Sequence, residues 1–261
     1  MPPEKSEIEP ETFLRRFVGA AVASGFNVIE YGTAGTYPLL AAELAPPNPK
    51  LRLYLSAGIH GDEPAGALAL LTLMRQKWFD TALAWHILPM LNPRGIAVRT
   101  RETPEGLDLN RDYRDARSLE TRAHKAWLSH SAWRYDAALS LHEDWEASGF
   151  YLYEMREYSE PDLGRRILQA VEPFASIERA SEIDGFPAKN GLLTPHASSS
   201  FESVTDWPEQ LLLRRDHTLL SYTFETSSRS PIAERVLAQI VAIKTAINLL
   251  LTPKIADYYE I

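Results

Sequence analysis

Residues 51–59, LRLYLSAGI, form a continuous apolar run of strand length, as expected of a strand covered on both faces. The run ends in HGDEPAG, after which AGALALLTLMRQ changes to helical periodicity, with Pro64 suited to the first helical turn. The same change of period recurs along the chain. Residues 83–91 (LAWHILPML) predict a strand followed by a long loop, and 117–130 predict a helix. AALSLH (137–142) and GFYLYEM predict two further strands, 160–174 a helix, HTLLSYTFE (217–225) a strand, and 231–251 a long closing helix. Upstream, 28–44 reads as two strands around GTAGT, and Pro46, Pro47 and Pro49 mark a tight loop. The stretch FVGAAVASGF, behind Arg15 and Arg16, belongs to an amphipathic first helix. Alternating strands and helices predict an α/β chain, three-layer α/β/α, around a central mixed, mostly parallel sheet. No repeat, low-complexity segment or dividing linker interrupts it, so 1–261 is expected to be a single domain.

Composition narrows the function. Of the 261 residues, 45% are hydrophobic and 24% charged, so folding requires neither disulfides nor a partner. A formal net charge of −8 argues against nucleic acid, while local arginines can still hold a small anion. With no cysteine, any metal must be bound by His, Asp or Glu. The opening MPPEKSEIEPETFLRRF is acidic where a signal peptide needs positive charge, and no run approaches the roughly 18 apolar residues of a membrane span. A cytoplasmic location without membrane contact is therefore expected.

In open α/β sheets ligands collect at the carboxyl ends of the strands. His60, Asn92, His142 and Glu225 each end or follow an apolar strand. The His60-x-x-Glu63 pair can place an imidazole and a carboxylate on one metal, and His142 is the natural third ligand of a catalytic zinc that keeps one position open. The pair would equally suit a helix cap. The segment 91–111 carries Arg94, Arg99, Arg101 and Arg111 around Asp108 and Asn110. Guanidinium forks fit carboxylates bidentately, and for Arg94 and Arg99 surface ion pairs suffice as an account. Glu225, closing SYTFE, can act as a general base on water acidified by a metal, or as a cap or partner of Arg229.

Taken together, GIHGDE, LNPRG, RETPEGLDLNR, SLHED and YTFET, in this order, resemble the M14 metallocarboxypeptidase superfamily, which includes the succinylglutamate desuccinylase/aspartoacylase branch. The resemblance runs from about residue 51 to the last helix and implies the same three-layer fold. It implies that His60, Glu63 and His142 bind one zinc ion (Zn2+) and that Glu225 is the general base. It further implies that Arg101 polarises the scissile carbonyl, that Asn110 and Arg111 grip the substrate carboxylate, and that Asp108 orients a zinc-bound imidazole. Extra ligands for a second ion would come from Asp62, Glu143 or Asp144.

The implied activity is a zinc-dependent metallocarboxypeptidase-like hydrolysis of an amide bond next to a free carboxylate, in a small peptide or N-acyl amino acid. Thr103 stands where the family's arginine loop often has Asn, and the loop before Glu225 offers Phe201 and Trp207 in place of the tyrosine of digestive-type members. Only 36 residues follow Glu225, which favours a minimal carboxypeptidase-like enzyme over an N-acyl amino acid amidohydrolase with its extra β-rich domain. The amidohydrolase and a non-catalytic metal- or carboxylate-binding protein are the alternatives. The side-chain pocket is expected from 196–216, with Trp207, Gln210, Arg214 and Arg215 as candidates and His196 as a candidate for lining the cleft. Among the other histidines, His86 is expected in the sheet, His124 and His130 on a surface helix, and His217 at the start of the last strand.

Overall fold

The computed structural model describes residues 8–131, 133–156, 163–195 and 205–252. Helix α1 (Pro10–Ala23) is followed by the hairpin β1 (Asn27–Ala34) and β2 (Tyr37–Leu44), then by β3 (Arg52–Ala57), α2 (Pro64–Arg75) and β4 (Ala84–Leu88). Next come α3 (Pro93–Val98), a single 3-10 turn (Leu109–Arg111), α4 (Leu119–His130), β5 (Ala137–Asp144) and β6 (Tyr151–Arg156). The chain continues through α5 (Leu163–Val171), the short strands β7 (Glu182–Ile183), β8 (Phe186–Lys189) and β9 (Leu192–Leu193), α6 (Glu209–Asp216), β10 (Leu220–Ser227) and α7 (Ile232–Leu251).

The strands form one mixed sheet in the order β1-β2-β4-β3-β5-β10-β6-β9-β8-β7. Its centre, β4-β3-β5-β10, is parallel, and antiparallel partners β2 and β6 flank that centre. The carboxyl ends of β3, β5 and β10 therefore lie side by side at one edge. His142 and Glu225 are direct cross-strand partners there.

Side chains alternate across a strand, so each central strand faces two different environments. Leu53, Leu55, Leu139, Leu141, Tyr222 and Phe224 join the larger core beneath α1, α2, α5 and α7. The alternate positions, Tyr54, Ser56, Ser140, His142, Thr223 and Glu225, lie on the other face, where Tyr54 meets His124 of α4, Ser56 and Ser140 meet Glu209 of α6, and Leu128, Leu212 and Leu213 pack. One face is thus apolar and the other unusually polar.

The element boundaries differ from the sequence expectation in a few places. β10 begins at Leu220, and His217 instead caps the C-terminus of α6. α3 lies within the stretch expected to be a long loop, α6 and the β7–β9 strands were not anticipated, and 160–162 lie outside the described residues. No helix among the described residues is long and apolar enough to cross a membrane.

Candidate metal centre and its surroundings

β3 ends at Ala57, and Gly58, with φ +64°, turns the chain so that His60 comes to the edge of the sheet. Gly61 passes so close to α3 that an added Cβ would stand 2.0 Å from the carbonyl carbon of Gly95. Glu63 occupies the N-cap position of α2, yet its side chain makes no capping bond. Its carboxylate turns to the imidazoles instead: Oε1 lies 2.6 Å from His60 Nδ1 and Oε2 lies 3.1 Å from His142 Nδ1. The cap is supplied from β5, where Glu143 accepts the Ala65 N–H at 2.6 Å and pairs with the buried Arg235 of α7. The backbone N–H of Glu143 in turn donates to Glu63 Oε2 at 3.1 Å.

His60, Glu63 and His142 are buried, and one ligand atom from each lies within 4.8 Å of the others. A tetrahedral ion with bonds of about 2.0–2.1 Å needs donor atoms about 3.4 Å apart, so small side-chain rotations close the set around an ion. Among the described residues these three form the group of His, Asp and Glu suited to a metal. The electrostatics call for a cation. Burial alone would lower the His60 pKa, but the carboxylates of Glu63 and Asp108 raise it to about 9. Burial pushes Glu63 upward too, but the two imidazoles hold it well below the usual carboxylate range. An ion binding there takes the place of the proton on His60, and two imidazoles with one carboxylate, dry and close together, are a hard-to-intermediate donor set for a divalent ion.

Asp108 reaches the far side of His60, with Oδ1 3.2 Å from Nε2, and also accepts the Asn110 N–H at 2.8 Å. This carboxylate–imidazole contact is the kind that fixes the ring of a metal ligand. Arg101 lies over both groups: its Nε donates to Asp108 Oδ2 at 3.1 Å and its Nη1 to Glu63 Oε1 at 3.4 Å. Arg111 is exposed, and the side-chain oxygen of Asn110 accepts the backbone N–H of Glu209 at 2.9 Å. Glu225 stands on β10 beside His142. Burial pushes its carboxyl well above the ordinary range, reinforced by the charges of Glu63 and Asp144 and opposed by Arg101. The structure therefore gathers His60, Glu63, His142, Asp108, Arg101 and Glu225 at one sheet edge, with Asn110 and Arg111 on the adjoining turn.

Other expectations are refined. Arg94 does form ion pairs, to Glu105 and Glu120, but Glu120 is buried, so the pair ties the loop to α4 beneath the surface. Arg99 is exposed and caps α3 in the left-handed region at φ +60°. Glu143 faces Arg235 and Ala65, which leaves it committed to the helix rather than to a second ion. Arg215 stacks on Trp207 at 4.5 Å and pairs with Asp216, Arg214 donates to the Thr218 carbonyl, and Gln210 donates to Ser140 Oγ and the Tyr222 carbonyl. His86 is buried in the sheet between Glu43 and Tyr135. His124 is a correction: it lies on α4 but turns inward, buried between the hydroxyls of Tyr54 and Tyr113, because its helix packs on the polar face of the sheet. His196 and Phe201 lie outside the described residues. Glu209, Gln239 and Arg235 escaped notice in the sequence, where nothing in their local context marks them as buried.

Comparison with known proteins bears on the family and the fold. Residues 49–186, more than half of the chain, match the succinylglutamate desuccinylase/aspartoacylase catalytic domain. Carboxypeptidase 2 of Trichophyton rubrum is 35% identical over 129 residues, which are 43% of this chain and 24% of that protein, so the chain spans about a quarter of this curated relative. A crystal structure of a Shewanella amazonensis SB2B protein classed as a metallopeptidase superposes with a TM-score of 0.79 at 25% identity, covering 95% of this chain and 98% of the other. A metallo-carboxypeptidase from Burkholderia cenocepacia shares the fold, with a TM-score of 0.63 at 16% identity, over 92% of this chain and 69% of its own. With more than half of its length matched, the chain belongs to the succinylglutamate desuccinylase/aspartoacylase catalytic-domain family, within the M14 metallocarboxypeptidase superfamily.

Proposed function

We propose that this protein is a zinc-dependent hydrolase that cleaves an amide bond adjacent to a free carboxylate. The observation that carries the reading is the buried His60–Glu63–His142 group, with Asp108 and Arg101 docked against it. These three residues would hold the ion, which when bound supplies Lewis acidity toward a carbonyl oxygen and lowers the pKa of water.

The remaining work falls to the chain's own side chains. Glu225 accepts a proton from the attacking water and delivers it to the leaving nitrogen, a transfer worth typically about 10²–10⁴ in rate. Arg101, whose side chain is 37% exposed toward solvent, turns its guanidinium to the developing oxyanion. Removing such a donor costs about 10²–10³ in rate. Arg111 and the Nδ2 hydrogens of Asn110 bind the free carboxylate, the guanidinium bidentately. Asp108 keeps the His60 ring in place through Nε2. A second reading, hydrolysis of an N-acyl amino acid, uses the same groups and is favoured by the family match over residues 49–186.

Elemental analysis of the wild type, H60A and E225Q, with turnover on N-acyl dipeptides and on acetyl- and succinyl-amino acids, tests the proposal. The wild type is expected to hold about one equivalent of zinc and H60A to lose it. E225Q is expected to keep the ion and lose at least about 10²-fold in kcat. An E225Q protein that keeps both zinc and most of its turnover would overturn it. Activity on acyl amino acids with none on dipeptides selects the second reading.

A further inference from the structure

Behind the site, the polar face of the sheet holds a buried carboxylate. Glu209, the first residue of α6, is 1% exposed. Three hydroxyls converge on it. Tyr54 Oη donates to Oε1 at 2.5 Å, and Ser56 and Ser140 donate to Oε2 at 2.8 and 2.7 Å. The two serines are cross-strand partners on β3 and β5, so the carboxylate is moored to the centre of the sheet. Burying a carboxylate is costly unless its oxygens are bonded, and a position so fully bonded allows the side chain little freedom.

The network has a definite direction. Since Tyr54 gives its proton to Glu209, its oxygen is an acceptor for His124 Nε2–H, 3.1 Å away. His124 Nδ1 then accepts the proton of Tyr113 Oη at 2.7 Å. Tyr113 lies three residues beyond Asn110, and its backbone N–H donates to the Trp207 carbonyl at 3.1 Å, two residues before Glu209. The network therefore closes on itself at Asn110, whose Oδ1 accepts the backbone N–H of Glu209 at 2.9 Å.

An asparagine amide has two orientations of similar shape, and its neighbours decide between them. A backbone N–H can only donate, so at Glu209 it must meet the oxygen of Asn110. The amide is thereby oriented with Nδ2–H₂ as donors that meet no acceptor among the described residues. In the opposite orientation Asn110 would lose this bond and turn an oxygen toward a bound anion. Resting on the carboxylate-gripping role proposed for Asn110, we infer that Glu209 is a positioning residue that fixes Asn110 as a donor toward the substrate's free carboxylate. Glu209 touches no substrate and acts through Asn110 alone.

The test combines a spectrum with a kinetic cycle. The Asn110 side-chain ¹H–¹⁵N pair is assigned by its disappearance in N110A. Zinc content and a cooperative melt establish that each variant is folded. In E209A the Asn110 pair is expected to move and broaden. KM for the best N-acyl dipeptide is expected to rise roughly tenfold while kcat stays within about threefold, as loss of one oriented bond to a charged group predicts. KM for the corresponding C-terminal amide stays unchanged. E209Q keeps the Asn110 pair and KM close to wild type, because the serine hydroxyls can rotate to accept from the new amide. If E209A does not fold, Y54F removes one mooring hydroxyl and shows the same shifts in smaller measure. In the double variant E209A/N110A the KM effects do not multiply. An Asn110 pair unchanged in E209A, or KM effects that do multiply, overturns the inference. If N110A itself does not alter carboxylate–amide discrimination, the functional reading fails, while the spectrum still reports whether Glu209 orients the amide.

Discussion

His124 joins chemistry to stability at the scale of a single residue. Burial, aided by the charge of His217, holds its imidazole down to about 3, so the folded protein keeps it neutral between two tyrosine hydroxyls. The unfolded chain binds a proton there near pH 6.5. Between about pH 6.5 and 3 the unfolded state thus carries more protons, and stability falls as pH falls through that window. Urea unfolding of the wild type and H124N at pH 7, 6, 5 and 4 should show a shallower decline in the variant, and equal slopes would refute this account. The sequence hid the burial. α4 reads LETRAHKAWLSH, a mostly polar helix, and the partners of His124 on β3 and on the turn after Arg111 come from distant positions. His60, Glu63 and His142 were legible because each follows an apolar strand, and parallel strands bring such residues to one edge. The role expected of Asn110 came from resemblance alone, and Glu209 was marked by neither route, since the hydroxyls that hold its side chain and the amide that its backbone meets come from distant positions.

At the scale of elements, strong periodicity predicted the long pieces, and weak periodicity missed the short ones. α2 and α7 bury mostly apolar faces, interrupted in α7 by Arg235 and Gln239, and both run where their patterns place them. α6 has eight residues and buries Glu209, Gln210 and Arg214 alongside Leu212 and Leu213, so its inward face does not look apolar in sequence. α3 has six residues and depends on Asn92, whose side chain accepts the Gly95 N–H at 2.8 Å. Close approach, rather than helix propensity, governs the junction of β3, α2 and α3. G61A is expected to destabilise the protein by at least about 1–3 kcal/mol and to lower zinc content, because a methyl group there meets the backbone of Gly95. G19A, on the exposed side of α1 with nothing within 4 Å of the new Cβ, is expected to stabilise by about 0.5–1 kcal/mol. Thermal melts and elemental analysis of the two variants separate steric from conformational effects.

Across the whole molecule, the sheet divides its work between its faces. The apolar face beneath α1, α2, α5 and α7 supplies the larger core, and the polar face carries the histidines, hydroxyls and carboxylates that surround the site. Neighbouring strands β3 and β5 come from distant parts of the sequence, with α2, β4, α3 and α4 threaded between them, and the candidate ligands come from both sides of that gap. A disordered chain therefore offers an ion the local His60–Glu63 pair without His142 beside it. An ion that binds the folded form alone stabilises it by RT ln(1 + [L]/Kd), about 1.4 kcal/mol for each tenfold of free ion above Kd. The wild type should melt higher as free zinc rises and lower in chelator, while H60A should show neither response, and a metal-independent melt in the wild type would count against the site. Any ion held there fastens the two halves of the fold across the β3–β5 ladder, so the supply of metal would govern how long the protein persists as well as how fast it works.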